Sequence, residues 1–284
     1  MNAILLILTV FSVSLQGVTV KSFGKSNQNK GLYLFSALSR LAGVIFFVLT
    51  AGRLILEWEV LPYAIAFSIF YGIGVIFNFL SINCGPLSLT SLITSYSLML
   101  PTAFGLFFLH DPISMGLIPG LILLLVSLFL INQKSGTDGA SISFKWGIFV
   151  FLAFIGNGFC SIVQSMQQRA FAGSYKNEFM IMALLFFVLI TGIISLCTER
   201  KEIVNCTKKG WLPAVVCGIA NALMNLLVMI LQNRIPVSVL FPLMSGSGLV
   251  LTYFLSRFLY KEKLSRRQLV GFVLGTLSVV FLNI

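Results

Sequence analysis

The side chains able to do chemistry are few in this chain of 284 residues, and their positions exclude more than they suggest. Glu57, Glu59, Asp111, Asp138, Glu178, Glu199, Glu202 and Glu262 all lie between apolar runs or at their ends, and the one histidine, His110, lies in such a link. A proton relay through a membrane uses buried carboxylates or histidines. An intramembrane hydrolase needs a nucleophile beside a base or metal. Neither constellation is present, so an enzyme is not expected. Cys84, Cys160, Cys197, Cys206 and Cys217 are scattered, with no Cys-x-x-Cys pair or Cys/His cluster, so neither a disulfide framework nor a metal site is expected. No cofactor motif is found.

One charge does stand inside an apolar run. Arg40 is ten residues, about 15 Å along a helix, from Lys30. At the centre of a bilayer it would cost about 2.5–3.5 kcal/mol on insertion scales unless it finds a partner or water. Its own helical face, Ser36 and Gly43, is small enough to let the guanidinium reach inward. Arg40 is either an anion-binding or gating group, or a structural arginine bonding backbone carbonyls.

Polar side chains also recur at helical spacing within apolar runs. They include Ser12, Gln16 and Thr19; Tyr71, Gly74, Asn78 and Ser81; Ser91 and Ser95; Asn157, Ser161, Gln164 and Gln168; Gly218, Asn221, Asn225 and Gln232; and Ser238, Ser245 and Thr252. In lipid such stripes mark the face turned away from the acyl chains. The plainer reading is that each side chain bonds across helices at about 0.6 kcal/mol. The bulkier groups suit a solute as well: Gln16, Tyr71, Asn78, Asn157, Gln164, Asn221 and Asn225 are cavity candidates, with Ser95, Ser245 and Arg40 beside them. Pro101, Pro242, Gly246 and Gly248 are candidates for gating helix breaks, although prolines are tolerated in such helices without any moving role.

The elements that position these groups follow from composition. Hydrophobic residues make up 58% of the chain and charged residues 10%, Phe alone numbers 27, and mean hydropathy is +1.00. Soluble domains carry roughly 25% charged residues, so lipid must be the solvent here. The excess of 19 Lys and Arg over 8 Asp and Glu is dispersed among apolar runs without a basic face, which argues against nucleic acid. The first twenty residues lack a basic leader and extend into a polar stripe, so they are expected to stay as a span rather than be cleaved.

Ten apolar runs are placed, approximately at Ala3–Val20, Leu32–Gly52, Tyr63–Ile82, Leu87–Leu109, Ile113–Ile131, Trp146–Gln167, Phe179–Cys197, Trp211–Leu231, Val237–Ser256 and Leu269–Leu282. The links are short and carry turn chemistry, as in Asn83-Cys84-Gly85-Pro86 and Gly136-Thr137-Asp138-Gly139. Lys21, Lys25, Lys30, Lys134, Lys145 and the basic groups of 200–209 and 257–267 fall on one side. Only Arg53, Arg169, Lys176 and Arg234 fall on the other. The basic side is cytoplasmic by the positive-inside rule, which places both termini outside the cytoplasm, Trp146 and Trp211 at the inner interface and Trp58 at the outer one.

The chain also repeats itself. At a spacing of 150, Asn83-x-x-Pro86-x-Ser88 matches Asn233-x-x-Pro236-x-Ser238, and Ser95 matches Ser245. At 151, Asp111, Ser114 and Gly120 match Glu262, Ser265 and Gly271, and at 148, Gln16, Lys21 and Phe23 match Gln164, Arg169 and Phe171. Two halves, 1–135 and 140–284, are inferred. Five spans per half force opposite insertion of the second half, giving an all-α membrane fold of ten transmembrane helices as a 5+5 inverted repeat. The fifth and tenth spans lack polar stripes. They carry Gly116-x-x-x-Gly120 and Gly271-x-x-x-Gly275, spacings that allow close helix contact.

Phe107-Phe108-Leu109-His110-Asp111-Pro112-Ile113-Ser114 and Phe258-Leu259-Tyr260-Lys261-Glu262-Lys263-Leu264-Ser265, each preceded or followed by the equivalent apolar span, resemble the pattern that closes each half of EamA-type members of the drug/metabolite transporter superfamily. Ala37-Leu38-Ser39-Arg40 is similar to that family's second-helix stretch, and Asp111-Pro112 departs from its usual Glu-Arg. The resemblance implies a central cavity lined by helices one to four and six to nine, with five and ten outside. It also covers Arg40 in members of differing substrate, which favours the structural reading of that residue. The function expected is a secondary transporter of a small neutral or zwitterionic metabolite, working by alternating access; a non-transporting membrane subunit or sensor with the same fold is the alternative. Its partners are a small-molecule solute and the lipid of a plasma membrane that it crosses many times, and it acts as a monomer or weak homo-oligomer.

Overall fold

In hydrocarbon each backbone N–H and C=O must be satisfied within the protein, so apolar runs of this length propagate as helices. The computed structural model describes residues 2–27, 30–55, 57–84, 90, 93–132, 143–200, 202–259 and 266–282. Gly85, Pro86, Ser88, Ser91, the Gly136–Gly139 link and Glu262 therefore lie outside the described residues, as does the side chain of Thr252.

The helices are α1 (Asn2–Ser26), α2 (Leu32–Thr50), α3 (Leu61–Cys84), α4 (Met99–Phe107), α5 (Leu117–Asn132), α6 (Phe144–Ala170), α7 (Lys176–Thr198), α8 (Ile203–Gln232), α9 (Val237–Leu259) and α10 (Arg266–Phe281). No strand occurs among the described residues. Among the described residues, six segments are long and apolar enough to cross a membrane: Asn2–Val20, Leu32–Thr50, Trp58–Ile82, Phe144–Ala170, Lys176–Thr198 and Gly210–Gln232. Shorter apolar helices, at Ile93–Phe107, Leu117–Leu130, Val237–Gly248 and Leu269–Phe281, stand where the other four spans were expected. The chain is thus an all-helical, multi-pass membrane protein. Its exposed faces are apolar, as with Ile118, Ile122 and Val126 on α5 and Leu185, Leu189 and Ile193 on α7. Surfaces of that kind are stable against acyl chains and aggregate in water.

Helix ends depart from the hydropathy boundaries where polar residues continue the helix. α8 begins at Ile203, eight residues before Trp211, because hydropathy marks only its lipid-embedded part, from Gly210. α4 is preceded by a 3-10 turn at Tyr96–Leu98, and Pro101 is its third residue. There the missing N–H falls in the first turn, where no intrahelical acceptor is lost.

The helices fall into two units, 1–72 with 166–233 and 73–165 with 234–284. Each draws on both sequence halves, and α3 and α6 contribute to both units. In the first unit α2 packs on α7 and α8, and α1 packs on α8. The approach of α2 to α8 is set by glycine: a methyl group on Gly218 would collide with the Ser39 carbonyl oxygen, and one on Gly43 would stand 3.6 Å from the Gly218 carbonyl oxygen and 3.2 Å from Leu184 Cδ1 on α7. Glu199, just past α7, accepts hydrogen bonds from the backbone N–H groups of Tyr33 (3.2 Å) and Leu34 (2.9 Å) in the first turn of α2, and from Ser195 Oγ (3.2 Å). At the other end, Glu178 in the first turn of α7 accepts one from Ile55 N–H, just past α2, at 3.1 Å. These contacts make α2 and α7 antiparallel. The pair Lys30–Glu202, at 3.4 Å, is largely exposed and adds little.

In the second unit α5 packs on α10 with Gly120 against Leu282, and Ser127 Oγ donates to the Gly271 carbonyl at 2.6 Å, so these two helices are antiparallel as well. α9 packs on α4 and α10. Asp111, past the end of α4, accepts a hydrogen bond from Ser238 N–H at the start of α9, at 2.9 Å, making a third antiparallel pair. Trp146 is buried, and its indole N–H donates to Thr90 Oγ1 at 3.0 Å; Trp58 and Trp211 are exposed. Of the cysteines, Cys84 and Cys197 are exposed and Cys160, Cys206 and Cys217 buried, all as free thiols.

Gly218→Val is expected to lower stability by at least about 1–3 kcal/mol through overpacking of α2 on α8. Gly17→Ala is expected to be tolerated, since nothing lies within 4 Å of the added methyl. Thermal unfolding of the two variants in detergent checks the contrast, and equal melting temperatures would contradict it.

Candidate functional site

In the first unit, α2 carries Arg40 eight residues past Leu32, about 12 Å along the axis. Nη1 donates to Ser39 Oγ at 3.2 Å, and the guanidinium lies over the ring of Tyr71 at 5.3 Å and that of Phe187 at 6.0 Å. These rings belong to an aromatic column, in which Phe67 stacks on Tyr71 at 5.4 Å, Phe67 meets Phe179 edge-on at 5.5 Å, and Tyr71 meets Phe187 at 4.9 Å. A desolvated cation–π contact contributes about 2 kcal/mol. Arg40 Nε is sealed from solvent and has no acceptor. Helical spacing singled out Tyr71 and Arg40 but missed Phe67, Phe179 and Phe187. Apolar rings in an apolar run give no sequence signal.

The first unit also joins three of the expected amides. Asn221 Nδ2 donates to Gln16 Oε1 at 2.9 Å, and Asn225 Nδ2 donates to the Asn221 carbonyl at 2.9 Å and to its Oδ1 at 3.3 Å. Gln16 Nε2 donates to the Ser12 carbonyl at 3.3 Å. Asn221 and Asn225 are buried and Gln16 half-buried, so this chain of amides ties α1 to α8 and spends most of its bonding capacity on itself. A second set lies at the end of α6, where Asn233 Nδ2 donates to Gln168 Oε1 at 3.0 Å and to the Met229 carbonyl at 2.9 Å.

In the second unit the amides are placed differently. Asn157 on α6 packs against Gly74 on α3: a methyl built on Gly74 would stand 2.7 Å from Asn157 Oδ1. Asn78 lies one turn further along the same face of α3. Both asparagines are half-buried, and among the described residues neither side-chain amide forms a hydrogen bond. Only Gly leaves room for Asn157 at this crossing. Gln164 is buried, and Ser95 and Ser245 are half-buried. The structure thus groups Gln16, Asn221 and Asn225; groups Arg40 with Tyr71; and places Asn78 and Asn157 on facing helices.

Pro101 and Pro242 are both buried. Pro242 is inside α9, where it lacks the donor that Ser238 C=O would otherwise receive. Gly246 packs closely, since a methyl there would meet Val279 Cγ2 at 2.8 Å and Ser278 Oγ at 3.2 Å, whereas Gly248 has nothing within 4 Å.

The model of the EamA-like transporter family matches residues 144–284. A solved structure, described only as a crystal structure of a protein, superposes with a TM-score of 0.80 over 99% of this chain and 95% of its own, at 16% identity. That identity supports likeness of fold and nothing further. No curated protein matches the chain.

Asn221→Ala is expected to lower stability by about 0.6 kcal/mol, up to about 1.7, by cutting the tie between α1 and α8. Asp111→Ala is expected to cost about 0.5–2 kcal/mol by uncapping α9. Chemical or thermal unfolding of both variants measures this, and an Asn221→Ala protein as stable as the parent would remove the structural role of the amide chain.

Proposed function

We propose, from the match of residues 144–284 to the EamA-like transporter family of the drug/metabolite transporter superfamily, that the chain is a secondary transporter that moves a small metabolite across a bilayer by alternating access. The observation that carries the reading is unspent polar capacity inside apolar helices. Asn78 and Asn157 are half-buried and their amides form no hydrogen bond among the described residues. In lipid such groups are retained only where water or a solute reaches them. A non-transporting subunit would satisfy them with its own side chains.

The ten-helix 5+5 inverted repeat is supported by the antiparallel pairing of α2 with α7, α4 with α9 and α5 with α10, because each pair joins positions equivalent in the two halves. An inverted pair has two near-equivalent packings, one for each face of the membrane. Tyr71, Gln164, Ser95 and Ser245 are proposed to line the solute path with Asn78 and Asn157, and Pro242 with Gly248 to soften α9; Gln16, Asn221 and Asn225 bind solute only if their mutual bonds open. The chain resides in the plasma membrane with both termini outside the cytoplasm, as a monomer or weak homo-oligomer, and carries out no catalysis.

Reconstitution into liposomes with labelled amino acids, sugars and purines tests the function. Flux above that of empty vesicles is expected for at least one class, and none across the panel would reject it. Asn157→Ala and Asn78→Ala are expected to reduce that flux by about tenfold, the loss of roughly 1.4 kcal/mol of solute contact, with little change in melting temperature. For topology, terminal tags on intact cells are expected to react with impermeant reagents, and protection of either terminus would overturn the orientation.

A further inference from the structure

Arg40 is the charge that the carrier reading leaves without an explanation. A guanidinium has five N–H donors and no acceptor, and it stays charged in any protein environment. Its polar neighbours are Ser39, Tyr71 and Cys217, none of them a carboxylate. The described carboxylates of the same unit are committed or remote. Glu199 binds the α2 amides, Glu178 binds Ile55 N–H, Glu202 faces Lys30, and Glu57 and Glu59 flank the turn before α3. No counter-charge for Arg40 exists among the described residues. Removing one partner of a buried ion pair is strongly destabilising because a lone charge is left behind, and that is the arrangement seen here.

The surroundings define what would complete it. Nε is sealed and unpartnered, and the residue as a whole is half-buried rather than fully enclosed. Arginine matches a carboxylate with two parallel N–H···O bonds. A single positive charge balances a single negative one, whereas a phosphate dianion would be left half-neutralised with no lysine or second arginine in reach. The rings of Tyr71 and Phe187 flank the cation and offer apolar faces to the carbon skeleton attached to the carboxylate.

We propose that Arg40 is the carboxylate-binding residue of the transported solute's site, so that the solute is a small organic carboxylate or zwitterion with an apolar body lying against Tyr71 and Phe187. The inference rests on the carrier reading and narrows it.

The test uses the purified full-length chain with matched probes: benzoate against benzamide, and L-leucine against L-leucinamide. The carboxylate of a pair is expected to raise the melting temperature in a concentration-dependent way, and its amide to have at least about tenfold lower apparent affinity, consistent with loss of one charged contact. Arg40→Gln is expected to abolish the difference between carboxylate and amide, and Arg40→Lys to restore part of it, since lysine keeps the charge and loses the fork. Should Arg40→Gln fail to fold, Phe187→Leu in the presence of Arg40 is expected to weaken carboxylate binding several-fold, and benzoate is expected to protect Arg40 of the parent from phenylglyoxal. Equal response to acid and amide, no response to any carboxylate, or a full carboxylate response in Arg40→Gln overturns the proposal. Liposome flux separates the two layers. Uncharged solutes carried equally by parent and Arg40→Gln leave the carrier standing and this inference fallen. Arg40-dependent carboxylate binding with no flux of any solute does the reverse.

Discussion

A polar group in hydrocarbon has only other protein groups to bond, and that constraint organises this molecule more than any single contact. Helix ends show it first. The first-turn N–H groups of a helix lack intrahelical acceptors, and here carboxylates from distant parts of the chain supply them: Glu199 for α2 and Asp111 for α9. Each acid sits past the end of one helix and serves the start of another that is remote in sequence. Such bonds satisfy the orphaned donors and hold antiparallel neighbours in register. The same economy governs the interior, where Ser127 spends its hydroxyl on the Gly271 carbonyl and Trp146 its indole on Thr90. Against that background, a side chain that spends nothing is conspicuous.

Glycine controls how near the helices come. The backbones of α2 and α8 meet at Gly218 and Gly43, and α3 meets α6 at Gly74. In a membrane, where apolar contact with lipid is as good as with protein, close backbone approach is what makes one helix prefer another. The crossing of α2 and α8 also brings Arg40 beside Cys217, so packing and charge placement share one origin.

Much of this was legible in the residues. Hydropathy located six helices long enough to cross a membrane and four shorter apolar ones, because an apolar run of that length has few alternatives to a helix. The internal repeat singled out Asp111 and Ser238, and the structure places the carboxylate of one against the backbone amide of the other, although nothing in the pattern said that they would meet. The spacings around Gly120 and Gly271 marked the helices that pack as α5 and α10. What remained hidden is what depends on tertiary neighbours. The stripes on α1 and α8 could not say whether Gln16, Asn221 and Asn225 face a solute or each other, because helical periodicity gives a direction and not a partner. The column of Phe67, Phe179 and Phe187 was invisible among 27 phenylalanines. The position of Trp146 at a span end gives no sign of its bond to Thr90, which is a tertiary fact.

The distribution of sulfur has a practical corollary. Cys84 belongs to one unit and Cys197 to the other, and these are the exposed thiols among the described cysteines, the rest being shielded by packing. Maleimide chemistry on the unaltered polypeptide therefore attaches one reporter to each unit. Spin labels or fluorophores at these positions would report on each unit, with every other native side chain still in place.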